Sequence, residues 1–575
     1  MPPSAANKTR QLMSDLLDAA SKLWDDIVSQ PAPASPSDFW KEHLKIRELL
    51  ERMRRAQSQP QSKSASDNLL SARSCRQNEF SDFLKWAKEA DIETNDNRVE
   101  IASVEGSSER ETDERDSVKY SDTEMFGLKC VADVKSGDIL VRVPRDAMIT
   151  WEEALKAPML RKAMECDPIL VGMENVALAM FVLCEKKLAR KSRWYAYLRT
   201  LPDVYTTPLF YSTEEFELLR PSVDTFTAAL KLYRSIVRQY VYFYLQLAPL
   251  SRSEAKQQLL QNAVSSARIP RNEQLLADTP LTLLNFTFDS YKWAVATVST
   301  RINFVPNTIL VGTDAESKQI PALIPLVDMA NHNDPPSFST DKPDGVGDRS
   351  NITLTYDTET NEAILIADRD YSAGSQVYSY YGPRSDVDFL LHNGFVPDRA
   401  NGRISYVIRL GLSKTDPQHE IRAAALNALG VVDGQQYELV MYESRHKATT
   451  TTSPSDPDSS FIPSHLFRFA KVFVAPVVDG SIGVSIDSAA NQMNAWRFLR
   501  DRFQLLAQVY RRGKHQEIVA KDECRSTNVA MVVRLLQREQ RILTFAAEFC
   551  EREMQKLELL DLVDLSVADR KEKMD

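Results

Sequence analysis

The sequence predicts an α+β fold: a β core split by a helical insertion and followed by a mainly α-helical C-terminal domain. Three observations predict it. Apolar residues recur with period two from Leu128 to Val143 around the turn Lys135-Ser-Gly-Asp138, and strand signals resume at about 320 and run to 381. Between them, about 151–300 has helical periodicity and many aromatics, among them Trp194, Tyr195, Tyr197, Tyr240, Tyr242, Phe243 and Tyr244. Near the C-terminus Leu535, Ile542 and Phe549 form a helical seam flanked by Leu536 and Leu543, expected to pack within the chain's own helical domain rather than as a coiled coil with a partner.

In chain order, residues 1–100 read as an N-terminal helical region. Leu12, Leu16, Leu17 and Leu23 keep helical spacing, and so do Leu44, Ile46, Leu49, Leu50 and Met53. A Ser/Gln-rich linker is expected at 56–75, then a short amphipathic helix from Phe80 to Lys88. The stretch 105–124 is strongly charged and expected to be exposed. The split β core is expected over 101–397 and the helical domain over 398–575, beginning with a strand at Ile404 to Leu410. Residues 447–460 are low-complexity and expected to be disordered.

Composition excludes several classes. The net charge of −9, without any Lys/Arg stripe, argues against nucleic-acid binding. Cys75, Cys130, Cys166, Cys184, Cys524 and Cys550 are scattered with no Cys-x-x-Cys pair, which fits reduced thiols and a cytoplasmic or nuclear protein. No secretory h-region and no apolar run of membrane-spanning length is present, so no membrane association is expected. A monomer is expected.

The most informative stretch is Leu323-Ile-Pro-Leu-Val-Asp-Met-Ala-Asn-His332. Leu323 to Val327 reads as a buried strand that ends in Asp328, Asn331 and His332, before Asn333-Asp334-Pro335-Pro336 breaks the chain. Buried amide and imidazole groups normally satisfy backbone or ligand atoms. Taken singly, His332 reads as a satisfied core histidine, Tyr381 as a strand aromatic beside Tyr378 and Tyr380, and Asn303 as a surface amide. Asp328 and His332 lack a third ligand, so no metal is expected.

Four stretches together say more: Glu124-Met-Phe-Gly-Leu128, Thr300-Arg-Ile-Asn303, Asp328-Met-Ala-Asn-His332, and Tyr381-Gly382 followed by Phe389-Leu-Leu-His-Asn-Gly-Phe395. This combination resembles the SET-domain protein methyltransferases of the Rubisco large-subunit methyltransferase type, from about residue 37 to the end. In that family a helical insertion splits the SET core, one segment threads through a loop, and a helical substrate-binding domain follows. Ile46-Arg-Glu-Leu-Leu-Glu-Arg-Met-Arg-Arg55, Arg238-Gln-Tyr-Val-Tyr-Phe-Tyr244, Tyr291-Lys-Trp-Ala-Val295 and Leu410-Gly-Leu-Ser-Lys-Thr-Asp416 resemble the branch that methylates a histidine of actin.

The resemblance implies S-adenosylmethionine as cofactor and S-adenosylhomocysteine as product. It implies cofactor contacts from Arg76, Glu124, Met125, Phe126, Arg301, Asp328, Met329, Ala330, Asn331, His332, Asn393, Gly394 and Phe395. Tyr381 would set its phenol oxygen beside the methyl group, and Asn303 would hold one ring nitrogen of an acceptor histidine. Val327 and Arg384 would face the substrate, a protein and in this branch actin. Two positions depart from the pattern. Val327 stands where the actin-histidine branch has a tryptophan, which leaves a lysine acceptor open beside histidine. Met125 replaces a glycine, which shifts the cofactor loop if that backbone needs positive φ and is tolerated otherwise. The rival of another class is a non-catalytic protein-binding module with a vestigial SET core, against which the intact Tyr381, Asn331 and His332 argue.

Overall fold

The computed structural model describes residues 5–58, 76–94, 98–104, 125–247, 275–308, 318–334, 353–397, 403–442, 461–478, 480–482, 486–521 and 526–572. The stretches expected at 105–124 and 447–460 lie outside these residues, as does the linker from 59 to 75. Two compact units are present: one comprises Met1–Phe216, Val223–Arg384 and Asp388–Phe395, the other Glu217–Ser222, Ser385–Val387 and Val396–Asp575.

The first unit opens with helices Ala5–Leu23 and Pro36–Gln57. Pro36 sits at the first helical position, where its missing N–H costs nothing, and the Ser35 hydroxyl accepts the Asp38 N–H as N-cap. This helix buries Phe39, Trp40, His43, Ile46, Leu49, Leu50 and Met53, whereas Leu44, expected on the same face, is 41% exposed. Arg234 ties the N-terminal segment to helix Val223–Gln246, pairing with Glu42 at 2.6 Å and donating to the carbonyls of Ile27 and Gln30. A further helix spans Arg76–Glu89.

The strands of this unit are β1 (Glu93–Thr94), β2 (Val99–Val104), β3 (Met125–Cys130), β4 (Ile139–Pro144), β5 (Ile149–Thr150), β6 (Asn303–Pro306), β7 (Gln319–Leu323), β8 (Asn331–His332), β9 (Leu354–Asp357), β10 (Glu362–Ile366) and β11 (Gln376–Ser379). They form three small sheets, ordered β1-β4-β10-β9, β2-β3-β11-β8 and β5-β7-β6. Between β3 and β4 the chain turns at Gly137 (φ +89°), where the sequence places Lys135-Ser-Gly-Asp138. The helices between β5 and β6 include Glu174–Leu188, Tyr195–Thr200, Val223–Gln246 and Phe288–Arg301. Their core is aromatic. Tyr240 lies 5.2 Å from Phe286 and 5.5 Å from Phe288, and buried Tyr240 and Tyr244 hydroxyls donate to the carbonyls of Phe286 and Leu283. These two hydroxyls thus keep polar partners in the core, as burial requires.

One expectation is corrected. The run Leu323 to Val327 is not a strand throughout: β7 ends at Leu323, and Val327–Met329 is a single 3₁₀ turn. Leu326 between them has φ +70° and ψ −47°, a conformation that costs a branched residue about 1–3 kcal/mol and persists only where the surroundings fix it. The apolar pattern was legible because both the strand and the turn are buried; the reversal was not, since no glycine marks it.

The second unit contains two seven-residue antiparallel strands, Arg403–Arg409 and Gln436–Tyr442, the second of which periodicity had not singled out. Its helices include His419–Ala428, Ser464–Val474, Ala489–Arg511 and Thr527–Glu572. Leu535, Leu536, Ile542 and Leu543 are buried, and Phe549 meets Trp496 at 6.0 Å. The expected seam packs against this unit's own helices. Among the described residues no helix is long and apolar enough to cross a membrane.

Candidate active site

The site is built where β8 and β11 lie side by side, parallel, with Asn331 opposite Tyr378 and His332 opposite Ser379. β11 pairs on its other edge with β3, placing Val377 against Leu128. Three segments distant in sequence therefore meet within one sheet.

Asn331 turns its amide back to β3 and donates to the Phe126 carbonyl at 3.3 Å. That approach needs Gly127. A Cβ there would lie 2.9 Å from Asn331 Nδ2 and 2.8 Å from Gln376 Nε2, closer than real contacts allow. Phe126 meets Phe80 of helix Arg76–Glu89 edge-on at 4.8 Å. Met125 takes ordinary strand geometry opposite Val104 and is 45% exposed, so the methionine does not distort the loop.

His332 is enclosed by rings: Phe389 at 4.6 Å, Tyr381 at 5.2 Å, Tyr380 at 5.9 Å and Phe395 at 6.2 Å. Its Nδ1 accepts the Tyr381 main-chain N–H at 3.3 Å, which assigns the ring proton to Nε2, 3.5 Å from Asp334 Oδ1. The Tyr381 hydroxyl donates to the Ala330 carbonyl at 2.8 Å, so ring and chain of this tyrosine are both anchored to the 330–332 segment. Burial pushes the phenol up to about 12, opposed by Arg301 and assisted by Asp328. At neutral pH Tyr381 is therefore a neutral dipole.

Asp328, in the 3₁₀ turn, is fully buried. Its Oδ2 accepts from Tyr197 at 2.6 Å and from Arg301 Nη1 at 3.0 Å, and Nη1 also reaches the Asp328 carbonyl at 2.9 Å. Burial alone would lower the Arg301 pKa, but the adjacent carboxylate holds the guanidinium firmly protonated. Removing one partner of such a pair costs about 3–5 kcal/mol. Asp328 Oδ1 and Arg301 Nε, both buried, have no hydrogen-bond partner among the described residues. Nearby, the Tyr205 hydroxyl bonds Thr297 at 2.8 Å.

The third wall is the segment after Tyr381-Gly382. Phe389–Asn393 forms a π-helical turn, a form concentrated at functional sites, ended by Gly394 at φ +83°. Ser299 donates to the His392 carbonyl, fixing the turn to helix Phe288–Arg301. Phe395 stands 6.5 Å from the Tyr381 ring.

Of the residues singled out from sequence, the structure groups Phe126, Arg301, Asp328, Ala330, Asn331, His332, Tyr381 and Phe395. Val327 is buried in the turn. Arg384 donates to Asn393 Oδ1 at 2.6 Å. Asn303 starts β6 with its amide on the Arg301 carbonyl at 3.2 Å, and no hydrogen bond links it to Tyr381 among the described residues. Glu124 and the Arg76 side chain lie outside the described residues. Sequence reasoning missed Gly127 as a steric requirement, and it missed Tyr197. The latter's only signal was its place in an aromatic run.

Similarity to known proteins agrees with this architecture. No family model matches the chain. The SET domain of LSMT bound to lysine and AdoHcy superposes with a TM-score of 0.55 at 17% identity, covering 84% of this chain and 93% of that one. Rubisco LSMT bound to AdoMet gives 0.53 with the same coverage. The fold is that of the SET-domain methyltransferases. The actin-histidine N-methyltransferase of Mus musculus is 30% identical over 551 residues, 93% of this chain and 77% of that protein. Its Homo sapiens counterpart is 29% identical over the same span. The chain belongs to the actin-histidine N-methyltransferase family.

Proposed function

We propose that this protein transfers a methyl group from S-adenosylmethionine to a ring nitrogen of a histidine in actin. The observation that carries the reading is the Tyr381 hydroxyl, held on the Ala330 carbonyl beside Asn331 and His332. The residues present fit the cofactor. Gly127 lets the Asn331 amide lie close against β3, and two buried polar atoms, Asp328 Oδ1 and Arg301 Nε, make no hydrogen bond among the described residues. Phe126, Arg301, Asn331, His332 and Phe395 would hold it. When bound, the cofactor supplies a methyl carbon on cationic sulfur, which keeps the C–S electron pair as the new N–C bond forms.

The chain's own residues chiefly orient. Fixing two reactants in attack geometry is worth roughly 7–11 kcal/mol. Tyr381, neutral at physiological pH, turns its oxygen dipole toward the carbon in transit and removes no proton. The carboxylate whose field reaches Tyr381, Asp328, is committed to Arg301 and Tyr197. A site whose described carboxylate is so engaged suits histidine, mostly neutral at pH 7 with a reference pKa of about 6.5, better than lysine at about 10.4. After attack the methylimidazolium returns its remaining N–H proton to water. Lysine is the second reading, favoured by Val327, which is smaller than the tryptophan of the actin-histidine branch.

The test is incubation with methyl-labelled S-adenosylmethionine and actin, followed by fragment mass analysis. Label on histidine is expected, and label on lysine alone would sink the histidine reading. Tyr381→Phe should cut turnover by more than about tenfold while the fold is retained.

A further inference from the structure

Two side chains of the helical insertion grip the turn at Leu326–Ala330. Arg301, the last residue of helix Phe288–Arg301, bonds both the side chain and the carbonyl of Asp328 through the same nitrogen. Tyr197, on helix Tyr195–Thr200, has a fully buried ring that packs 6.1 Å from Phe83. Its hydroxyl donates to Asp328 Oδ2 at 2.6 Å, shorter than the bond from Arg301 at 3.0 Å. The other carboxylate oxygen has no hydrogen-bond partner among the described residues. Two donors on one oxygen thus fix the whole carboxylate. Because Arg301 Nη1 divides its hydrogens between two acceptors, loss of the phenol would leave the carboxylate free to swing Oδ1 into the vacated place. Burial and the neighbouring Asp328 keep the Tyr197 phenol protonated far above neutral pH, so it only donates.

The consequence reaches the reacting centre through a short path. Asp328 lies in the 3₁₀ turn whose next residues carry the Ala330 carbonyl, and that carbonyl accepts the Tyr381 hydroxyl at 2.8 Å. The backbone at Leu326 is strained, so the turn has no preferred shape of its own to fall back on. We propose that Tyr197 is a positioning residue for the transfer: by fixing the Asp328 carboxylate it fixes the turn whose Ala330 carbonyl aims the Tyr381 hydroxyl. This rests on the reading of Tyr381 given under the proposed function. A displacement of about an ångström at a reacting group costs on the order of a hundredfold in rate, so a smaller loosening is felt as a smaller loss.

The experiment is Tyr197→Phe, which keeps the ring and removes the hydroxyl. Turnover should fall about tenfold, with KM for actin within twofold and S-adenosylhomocysteine affinity by calorimetry within about threefold. In a Tyr381→Phe background the same change should cost less than about twofold, since the hydroxyl it aims is gone. A full further tenfold loss there, or turnover within twofold of wild type in the single variant, overturns the proposal. If Tyr197→Phe fails to fold, Asp328→Asn replaces it in the same cycle with the same criterion. An activity-independent readout separates this claim from the functional one. With tyrosines carbon-13 labelled at Cζ, and the Tyr381 resonance assigned by its loss in Tyr381→Phe, Tyr197→Phe should move that resonance. An unmoved resonance overturns the positioning role even if methyl transfer is real, whereas a moved one with no methyl transfer by the wild type overturns the function alone.

Discussion

The polar turn at 326–332 and the long helices of the second unit solve burial in opposite ways. Along Ala489–Arg511 and Thr527–Glu572, Leu499, Phe503, Ala507, Leu535, Leu536, Ile542 and Leu543 are almost wholly buried, and of the buried polar residues Glu539 accepts from Tyr510 and Ser222. There the energy is spread over many interchangeable apolar contacts. In the turn it is concentrated in a few directed bonds: Tyr197 and Arg301 on Asp328, Tyr381 on Ala330, Asn331 on Phe126. Diffuse apolar packing tolerates substitution and specifies a shape. Directed bonds tolerate little and specify an orientation, which is what a transfer reaction needs.

That contrast can be broken by experiment. The largest effect should come at Gly394, where alanine would take φ +83° and set its Cβ 2.8 Å from main-chain atoms of Thr206 and Thr207. Strain and overpacking together predict a loss on the order of 4 kcal/mol for Gly394→Ala, read from urea unfolding. A near-neutral result would mean the π-helical turn is pliable. Next, Leu543→Ala should cost about 3 kcal/mol by the cavity it leaves, with no special loss beyond that size effect. A larger cost would show the seam to be as exacting as the turn.

The smallest effect at pH 6 is shared between the units, and it grows as the pH falls further. His43 is packed among Trp40, Phe216 and Tyr233 with neither ring nitrogen bonded among the described residues, and burial lowers it to about 3. His515 in the second unit is lowered by burial to about 4. Both folded values lie below the unfolded one near 6.5, so the unfolded chain takes up these protons first. Stability should be whole above pH 6.5 and fall by up to about 1.4 kcal/mol per pH unit for each histidine below it. Unfolding titrations at pH 7, 6 and 5 would show this, and a flat profile would mean that neither ring stays neutral in the fold. His43→Phe should remove one share of the slope.

How much was legible follows the same division. The helices around Leu49, Leu535 and Tyr240 were visible because apolar periodicity records the face a helix buries. Asn331, His332 and Tyr381 were visible only as a recurring combination, since no periodicity requires an amide or a phenol at a strand end. The turn at Leu326 left no mark, because a buried leucine at positive φ looks like any buried leucine. The second strand of the Arg403–Arg409 pair was hidden by the polar Gln436 that begins it and Gln435 just before. Gly127 carried no mark in the sequence, since its requirement is for space beside Asn331 rather than for an unusual φ.

The sheet β2-β3-β11-β8 also bears on how the molecule comes to exist. Its site strand is two residues long and pairs with Tyr378 and Ser379, while the neighbouring contact joins Leu128 to Val377 across the entire helical insertion. Contacts so remote along the chain close late, after local helices have formed. The insertion that supplies Tyr197 and Arg301 must therefore be ordered before the centre it serves. A ribosome that has not yet released Phe395 carries a nascent chain with much of its fold and none of its chemistry.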